Sequence, residues 1–331
     1  MENQINFPTL SFILVNWNTK DLTLQCIKSI YDDCCSVLAF EIIVTDNASN
    51  DGSADAIESE FPSVKVIRNK ENSGFAKGNN IAIREAKGEF VVLVNTDVVI
   101  IPGCMKTLYT YMVNNSLAGM VVPQVLNEDG TIQCTLKKEV TLLRTLFRIF
   151  WIDSIIPYLQ TYSYKKLEEV EVAGGCFFMI RKTALEQTGV LDEKFYFYGE
   201  DRDYCKRLRS NNWKIMFIPD ARIYHFSAKS SKGNPVKYEL LLEVAYLQYW
   251  KKHFSSSFQL YHSLKIAQHF IRLCVNFTLY CISPKSKSSA RFKSNYEKNW
   301  NVLLLLFKKI EMLPKEYTSL FVKQYCDLFG K

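Results

Sequence analysis

The sequence lacks the features of a membrane-spanning, secreted or disulfide-framed protein. No uninterrupted apolar run reaches the roughly 20 residues that cross a bilayer, since the best candidate, Leu260–Ile282, contains Lys265, His269 and Arg272. The N-terminus is polar and acidic, unlike a signal peptide. Ten cysteines are irregularly spaced without a Cys-x-x-Cys pair, so neither a zinc site nor a disulfide framework is predicted. We therefore expect a cytoplasmic protein with reduced thiols.

Two common nucleotide-binding motifs are also absent. The fingerprint Gly-x-Gly-x-x-Gly does not follow the first predicted strand, and no Gly-x-x-x-x-Gly-Lys-Ser/Thr loop occurs, so neither a dehydrogenase nor a P-loop enzyme is expected. Gly74 and Gly78 flank a lysine at a predicted helix start, where they could admit a phosphate or simply allow close helix packing. The net charge of +7 is accompanied by no nucleic-acid-binding motif, so no nucleic-acid partner is expected.

The first hundred residues alternate short apolar runs with helix signals. Four runs have the character of buried strands: Ser11–Asn16, Glu41–Thr45, Val64–Arg68 and Phe90–Asp97. The connections between them have the length of βα units, which predicts an α/β fold with a mostly parallel sheet and helices on both faces. Three of these strands end in residues with carboxylate or amide side chains. These ends should lie at the same sheet edge, where open α/β sheets bind their ligands. The residues are Asn16, Asp46, Asn95 and Asp97.

Two acidic positions are candidates for chemistry. Asp97 could meet a metal or a hydroxylated ligand at the sheet edge, or it could simply cap a strand. Glu200 and Asp201 follow an aromatic cluster at the start of a predicted helix. There they could cap the helix, or one could act as a general base. His225 lies beyond a short strand downstream of both acidic positions, and a lone histidine is more often structural.

The middle and the end of the chain contain further predicted elements. Strands are expected at Met120–Leu126 and Thr131–Thr135, and a basic, apolar helix at Leu136–Trp151. That helix could belong to the core with snorkelling cations, or it could meet a membrane or a lipid-linked partner. Helices are also expected near the C-terminus, at Val236–Phe254, Phe258–Ile282, Glu297–Phe307 and residues 310–331.

The C-terminal helices are rich in aromatic and basic residues, and they leave two hypotheses open. One is peripheral contact with anionic lipid at the cytoplasmic face of the inner membrane. The other is packing against the preceding domain or against a second copy of the chain in a homodimer.

Seven segments in order resemble a known family. Together they resemble the family 2 inverting glycosyltransferases of GT-A fold, especially the bacterial rhamnosyltransferase-like branch, over roughly residues 9–230. The segments are Val15–Asn18, Thr45–Ser53, Asn72–Asn80, Asn95–Asp97, Ala173–Cys176, Phe197–Asp203 and His225–Phe226. The resemblance implies a GT-A catalytic domain over residues 1–230, with a nucleotide-sugar half to about residue 100 and an acceptor half after it. A helical C-terminal region would occupy residues 231–331.

The resemblance also implies roles for individual residues. Asp46 would contact the nucleobase, in a pocket lined by Asn16, Trp17, Asn18 and Asn47. The nucleotide would be bordered by Asn72, Gly74 and Asn79, with Asn95 and Thr96 at its diphosphate end. Asp97 would be the main carboxylate ligand of Mg or Mn, since Asn95 replaces the first acid of the usual Asp-x-Asp motif, and His225 would be a further ligand. Asp201 would be the catalytic base, with Glu200 beside it.

The resemblance implies metal-dependent, inverting sugar transfer. The donor would be a dTDP- or UDP-sugar, with rhamnose favoured by the branch. The acceptor would be a hydroxyl of a lipid-linked glycan in cell-surface polysaccharide synthesis. The alternative is a non-catalytic protein of the same fold that binds a glycan or a partner. Asn95 favours this alternative, whereas Asp97 and Asp201 argue against it.

Overall fold

The computed structural model describes residues 8–34, 38–156, 162–195, 198–226, 235–283, 288–309 and 312. These residues form two compact units. The sheet unit consists of the described parts of 1–138, 161–196 and 200–227, and the helical unit of those of 139–160, 197–199 and 228–331. Residues 139–160, which we placed in the acceptor half, therefore group with the C-terminal helices.

The helices and strands are numbered here in chain order. They are β1 Leu10–Asn16, α1 Lys20–Cys34, β2 Phe40–Asp46, α2 Ser53–Glu60, β3 Lys65–Arg68, α3 Phe75–Ile83, β4 Phe90–Val94, β5 Val98–Ile100, α4 Cys104–Asn114, β6 Ala118–Leu126, β7 Leu136–Lys137, α5 Leu142–Ile149, α6 Ile152–Ile155, β8 Glu168–Glu169, β9 Val172–Ala173, β10 Phe177–Arg181, α7 Lys182–Thr188, α8 Glu200–Ser210, β11 Lys214–His225, α9 Pro235–His253, α10 Phe258–Ile282 and α11 Ser289–Leu306. The helical unit contains α5, α6 and α9 to α11.

The main sheet is mixed, and its strands follow the order β3-β2-β1-β4-β10-β6-β11-β5, with β8 also paired to β11. The first four strands are parallel, as the sequence predicts. Strand β10 runs antiparallel to both β4 and β6, and β11 runs parallel to β6. Six strands therefore point the same way, namely β1, β2, β3, β4, β6 and β11. Their carboxyl ends form one sheet edge.

The central strands are buried on both faces, which explains their unbroken apolar runs. Along β1, Phe12 and Leu14 pack in one apolar cluster, together with Ile27 and Ile30 of α1. Ile13 points the other way and packs in a second cluster with Ala82 of α3. This alternation follows from the two-residue period of a strand.

Two expected elements differ from the structure. The strand expected at Thr131–Thr135 is wrong: within the described residues this segment makes a single bridge, Leu126 to Ile132. It folds back in a turn, where Gly130 has a φ of 79°. The helix expected at Leu136–Trp151 begins late, because Leu136 and Lys137 first pair with β9 and Thr141 then caps α5.

The helical unit has a polar centre. The carboxylate of Glu243 on α9 lies 2.7 Å from the Lys265 ammonium on α10, and both side chains are 4% exposed. His269 bridges the same carboxylate, at 3.3 Å, and Asn299 of α11, at 2.8 Å. Burial acts to raise the pKa of Glu243, but the charge of Lys265 and the hydrogen bond from His269 lower it to about 2.

The surface of the helical unit carries large apolar side chains. They include Leu143, Phe150 and Ile155 near α5 and α6, Leu260, Phe270, Phe277 and Ile282 on α10, and Trp300 on α11. Among the described residues, no helix is long and apolar enough to cross a membrane. Helices α9 and α10 match the predicted ranges, α11 starts earlier than predicted, and the helix expected at 310–331 lies outside the described residues.

Candidate active site at the strand ends

A chain of hydrogen bonds joins the carboxyl ends of β1, β2 and β4. The amide of Asn16 donates to the Asp46 carboxylate at 2.7 Å, and its oxygen accepts from the hydroxyl of Thr19 at 2.8 Å. Thr19 lies 3.1 Å from the hydroxyl of Thr96. Because Asn16 is fully buried and bonded on both sides, it orients Asp46.

The loop after β2 folds back over the end of β1. Asp46, only 4% exposed, also accepts from the backbone N–H of Ser49 at 3.1 Å. Asn18 is in the left-handed region at a φ of 53° and accepts from the backbone of Asn50. Beside it, Trp17 is 53% exposed. The structure thus brings together an aromatic face and a fixed carboxylate, which suit stacking on a base and accepting from it.

Asn47 holds the loop that precedes α3. Its oxygen accepts from Asn69 at 2.7 Å and from Ser73 at 2.9 Å, and its amide donates to the Gly74 carbonyl at 3.2 Å. Asn72 in turn accepts from the backbone N–H of Gly74 at 2.9 Å. Gly74 has a φ of 82° at the start of α3, so its conformation favours glycine.

Helix α3 itself packs closely on β1. A Cβ atom on Gly78 would lie 2.8 Å from a methyl group of Val15, which supports the packing explanation for Gly78. Asn79 is 2% exposed and donates to the Phe75 carbonyl within its own helix. Asn79 therefore has a hydrogen-bond partner inside α3. Among the described residues, its side chain makes no hydrogen bond to the residues at the strand ends.

Asn95 and Thr96 lie directly after β4. The backbone N–H of Asn95 donates to the Cys176 carbonyl at 3.0 Å, and its side-chain oxygen Oδ1 is buried without a hydrogen-bond partner. A buried hydrogen-bond acceptor without a donor lowers the stability of a folded protein. A cation or a donor group on a ligand would satisfy it.

Asp97 and His225 meet because β5 pairs with the end of β11. In this antiparallel pair His225 stands opposite Val98, and the backbone N–H of Phe226 donates to the Asp97 carbonyl at 2.9 Å. As a result, Nε2 of His225 lies 3.2 Å from Oδ1 of Asp97. The other ring nitrogen, Nδ1, lies 2.7 Å from Oε1 of Gln133.

The donor set at Asp97 and His225 fits a divalent cation. Two ligands at right angles on bonds of about 2.1 Å are about 3 Å apart, close to the 3.2 Å between these two atoms. Asn95 adds a buried oxygen that has no hydrogen-bond partner among the described residues. Within the described part of the chain, no three His, Cys, Asp or Glu side chains converge. Mg²⁺ suits such a sparse site, because it is often held by one or two carboxylates plus substrate phosphates and water.

The two acids at the start of α8 have different surroundings. Oε2 of Glu200 is buried without a hydrogen-bond partner. Burial, with the adjacent charge of Asp201, raises the pKa of Glu200 to about 8. Asp201 is half-buried and accepts from the backbone N–H of Arg202 at 2.7 Å. Glu200 therefore stays protonated near neutrality, which leaves Asp201 as the candidate proton acceptor.

The turn before β10 brings the two acidic positions close together. A Cβ atom on Gly175 would lie 3.4 Å from Cβ of Asp201. Burial raises the pKa of the next residue, Cys176, to about 12, and the charges of Asp97 and Asp201 both contribute to this rise. The predicted cation ligand and the predicted base therefore both lie near this turn.

Gln133 and Ser49 contact site residues although the sequence analysis did not single them out. Gln133 reaches His225 from the turn after β6, and Ser49 accepts from Asn16 at 3.0 Å. Ser49 lies within one of the recognised segments and could have been proposed from its spacing to Asp46. Gln133 lies in a segment that was expected to be a strand, so no signal in the sequence pointed to it.

Comparison with known proteins gives one family and several relatives. Residues 11–189, more than half of the chain, match the family model described as Glycosyl transferase family 2. A relative from Mycobacterium tuberculosis (strain H37Rv), named N-acetylglucosaminyl-diphospho-decaprenol L-rhamnosyltransferase, is 26% identical over 217 residues, which cover 60% of this chain and 70% of the relative. A Haloferax volcanii relative, named low-salt glycan biosynthesis hexosyltransferase Agl10, is 29% identical over 216 residues, covering 64% of this chain and 65% of the relative.

Solved structures are similar at the level of the fold. The mannosyltransferase PcManGT from Pyrobaculum calidifontis, in complex with GDP-Man and Mn²⁺, has a TM-score of 0.55 at 16% identity, covering 98% of this chain and 86% of that one. Residues 1–349 of TarS from Staphylococcus aureus have a TM-score of 0.53 at 16% identity, covering 97% and 89%. These likenesses confirm the predicted GT-A fold.

Proposed function

This chain belongs to glycosyl transferase family 2 and is a glycosyltransferase, and from that premise we propose that it inverts the anomeric configuration of the sugar it moves. The donor is a dTDP- or UDP-sugar and the acceptor is a hydroxyl of a lipid-linked glycan. In a single displacement the acceptor oxygen bonds to the anomeric carbon as the bond to the diphosphate breaks, and the hydroxyl proton passes to a protein base.

The observation that carries this proposal is the approach of both acidic positions to one turn, where the backbone of Asn95 bonds to Cys176 and Asp201 lies against Gly175. Asp201 would accept the hydroxyl proton, because it is half-buried, adjacent to a protonated Glu200 and able to reach a substrate. Asp97, His225 and the Asn95 oxygen would hold Mg or Mn. When bound, the cation neutralises the charge that develops on the leaving diphosphate.

The residues along the neighbouring strand ends would hold the nucleotide. Trp17 offers an exposed ring for the base, and Asp46, oriented by Asn16, accepts from its N–H groups. Asn18 and Asn47 shape this pocket through the loops that they fix. Asn72, Gly74 and Thr96 would border the phosphates. Asn79 remains a weaker assignment, since it is buried and bonded within α3.

Rhamnose is the sugar we favour, because the mycobacterial relative is named a rhamnosyltransferase that acts on a lipid-linked diphospho-sugar. Two structural neighbours were solved with GDP-Man and Mn²⁺ and with UDP, respectively, so their nucleotides differ. The nucleotide is therefore left to experiment.

The test is the release of nucleoside diphosphate from a panel of dTDP-, UDP- and GDP-sugars, with and without Mn²⁺, in the presence of membrane lipid extract as acceptor source. We expect metal-dependent release from one donor. Asp201→Asn should lower turnover by about 10² to 10⁴-fold while donor binding is retained. Asp220→Asn, an exposed acid on β11, is the matched control. Donor binding with no transfer to any acceptor would favour a non-catalytic glycan-binding protein instead.

We also propose that the helical unit rests on an anionic membrane surface, which would place the enzyme at the cytoplasmic face. Residues 228–331 contain 17 Lys and Arg against six Asp and Glu, whereas the preceding 227 residues contain 24 against 28. The same unit exposes Phe270 and Phe277, 57% and 52% accessible, on one side of α10. Basic charge together with exposed apolar side chains is the combination that binds the surface of anionic bilayers.

Vesicle sedimentation tests this contact. The full chain should bind phosphatidylglycerol vesicles and should bind phosphatidylcholine vesicles much less. Replacing Phe270 and Phe277 by serine should weaken binding several-fold, whereas serine at Val113 and Leu117, equally exposed in the sheet unit, should not. Equal binding by both double variants would refute this surface. Dimerisation that is lost in the Phe270 and Phe277 variant would assign it to a second copy of the chain.

A further inference from the structure

The two ring nitrogens of His225 face two acceptors. Nδ1 lies 2.7 Å from Oε1 of Gln133, and Nε2 lies 3.2 Å from Oδ1 of Asp97. A neutral imidazole carries one proton, and its position decides which nitrogen keeps a lone pair. Only a bare nitrogen can bind a metal. The orientation of the Gln133 amide therefore matters for the assignment of His225.

A line of hydrogen bonds sets that orientation, and it starts at a carboxylate. Asp129 can only accept when ionised, and it accepts from the hydroxyl of Thr131 at 2.6 Å. The Thr131 oxygen is thus left to accept from the Asn127 amide at 2.9 Å. The Asn127 oxygen then faces the Gln133 amide nitrogen, also at 2.9 Å. Gln133 is left with its oxygen towards His225.

The electrostatics of the turn support this direction. Hydrogen bonds from the hydroxyl and the backbone N–H of Thr131 lower the pKa of Asp129, so this exposed carboxylate is ionised at neutral pH. The turn is also held by backbone bonds, from Asn127 N–H to the Thr131 carbonyl at 2.8 Å and from Gln133 N–H to the Val125 carbonyl at 2.9 Å. The amides of Asn127 and Gln133 are therefore presented on a fixed backbone.

We propose that Gln133 is a positioning residue that selects the tautomer of His225. By accepting the Nδ1 proton, it leaves the Nε2 lone pair directed at the position beside Asp97 that a cation would occupy. Partners of this kind fix the ring of metal-binding histidines and raise their basicity. The inference rests on the proposed function, since it gives Gln133 a role towards the metal of the transferase. The competing explanation is that Gln133 only stabilises the turn.

The first experiment observes the tautomer directly, without metal, donor or acceptor. The full chain is labelled with ¹⁵N-histidine, and His225 is identified among the four histidines by its loss in His225→Gln. At alkaline pH, Gln133 and the Asp97 carboxylate compete for the one ring proton. We expect the wild-type ring to carry it on Nδ1, because the contact of 2.7 Å with Gln133 is shorter than the contact of 3.2 Å with Asp97. In Gln133→Leu the proton should move substantially to Nε2, the tautomer that free imidazole side chains prefer. A wild-type ring protonated on Nε2, or an unchanged ring in Gln133→Leu, would overturn the inference.

The second experiment measures Mn²⁺ affinity by EPR in the presence of dTDP or UDP. Gln133→Leu should weaken Mn²⁺ binding by about 10 to 100-fold. Gln133→Glu keeps an acceptor for Nδ1 and should restore most of the affinity. Asp129→Asn should weaken Mn²⁺ binding by a smaller factor. Glu128→Gln should leave Mn²⁺ binding unchanged, although both substitutions remove one negative charge from the same exposed turn.

The two readouts separate the inference from the function on which it rests. Wild-type protein that shows the Nδ1 tautomer but binds no Mn²⁺ would remove the metal from the proposed function and leave the tautomer selection in place. Equal Mn²⁺ affinity in Gln133→Leu and wild type would reduce Gln133 to a turn residue. Thermal unfolding of each variant shows that the turn is still folded.

Discussion

The two compact units distribute polar and apolar side chains in opposite ways. In the sheet unit the strands are apolar and buried, and polar residues gather where β1, β2 and β4 end. In the helical unit, charged Glu243 and Lys265 are buried, while Phe270, Phe277 and Trp300 are exposed. The first arrangement builds a ligand site at the margin of a stable core. The second is expected for a unit whose outer surface has its own apolar partner.

The buried ion pair of the helical unit is a poor source of stability compared with an apolar core. Removing two charges from water costs more than their attraction returns unless further hydrogen bonds are made, and His269 and Asn299 supply these here. A buried network of this type fixes the pairing of helices. Changes at the strand ends should therefore affect activity, and changes in the network should affect folding.

The largest expected effect is on catalysis. Asp97→Asn should lower kcat/KM by about 10³-fold or more, because it would remove the proposed carboxylate ligand of the cation. The free energy of unfolding should change little, since Asp97 lies at the margin of the core and is 26% exposed. Steady-state kinetics and thermal unfolding of the same preparations test both statements. Activity within tenfold of the wild type would remove Asp97 from the cation site.

The next effect is on stability and lies in the helical unit. Glu243→Ala should lower the free energy of unfolding by about 3–5 kcal/mol, because Lys265 is left buried without its counter-charge. Combining Glu243→Leu with Lys265→Met should recover much of this loss. Glu85→Ala breaks the exposed pair with Lys65 and should lower the free energy of unfolding far less, because water screens that pair. A similar cost for both alanine variants in denaturant unfolding would contradict a polar centre.

A smaller effect depends on pH. The pKa of Glu200 is raised from 4.5 to about 8, so the folded state keeps a proton that the unfolded state releases. Its contribution to stability is complete below about pH 4.5 and is lost as the pH rises through about 8. As the pH rises from ~5 to ~9, the free energy of unfolding of Glu200→Gln should therefore increase by about 2–4 kcal/mol relative to that of the wild type. Parallel stability profiles for the two proteins would show that Glu200 is ionised in the folded state.

The smallest effect concerns the packing of α3. Gly78→Ala should lower the free energy of unfolding by about 1 kcal/mol, because the strain from the new methyl group against Val15 exceeds the gain in helix propensity. Shortening the neighbour in Gly78→Ala with Val15→Ala should relieve that strain, so that the double variant costs less than the two single changes together. Exactly additive losses in thermal unfolding would instead point to a role for the Gly78 backbone at the nucleotide.

The sequence predicted the parts of the fold in which local pattern and tertiary environment agree. The length and β-branching of the unbroken apolar run at Phe90–Val94 favour a buried strand, and the structure confirms it. The insertion of β10 between β4 and β6 could not be predicted, because strand order is decided by long-range pairing. The same holds for β5, which is three residues long and forms by pairing with β11.

The sequence predicted those candidate-site residues that lie in recognised segments. It did not predict residues that only position other side chains of the site. The sequence pattern made Asp97 and Asp201 candidates, and the family resemblance gave them and His225 their roles. The structure brings Asp97 and His225 into contact. Gln133 and the Asn127–Thr131 turn carry no catalytic residue type. Their importance follows from the direction of hydrogen bonds, which a sequence does not encode locally. Asn16 was expected to contact the nucleotide, and it is the residue that orients Asp46.

The pairing of β5 with β11 has a consequence for the timing of synthesis. His225 ends the last strand of the sheet, so it leaves the ribosome roughly ten seconds after Asp97 at ordinary rates of translation. During that interval a nascent chain can already assemble the ends of β1, β2 and β4. It cannot complete the pair of groups that would hold the cation. Under the proposed function, a nascent chain would therefore not turn over nucleotide sugar until β11 has emerged and paired with β5.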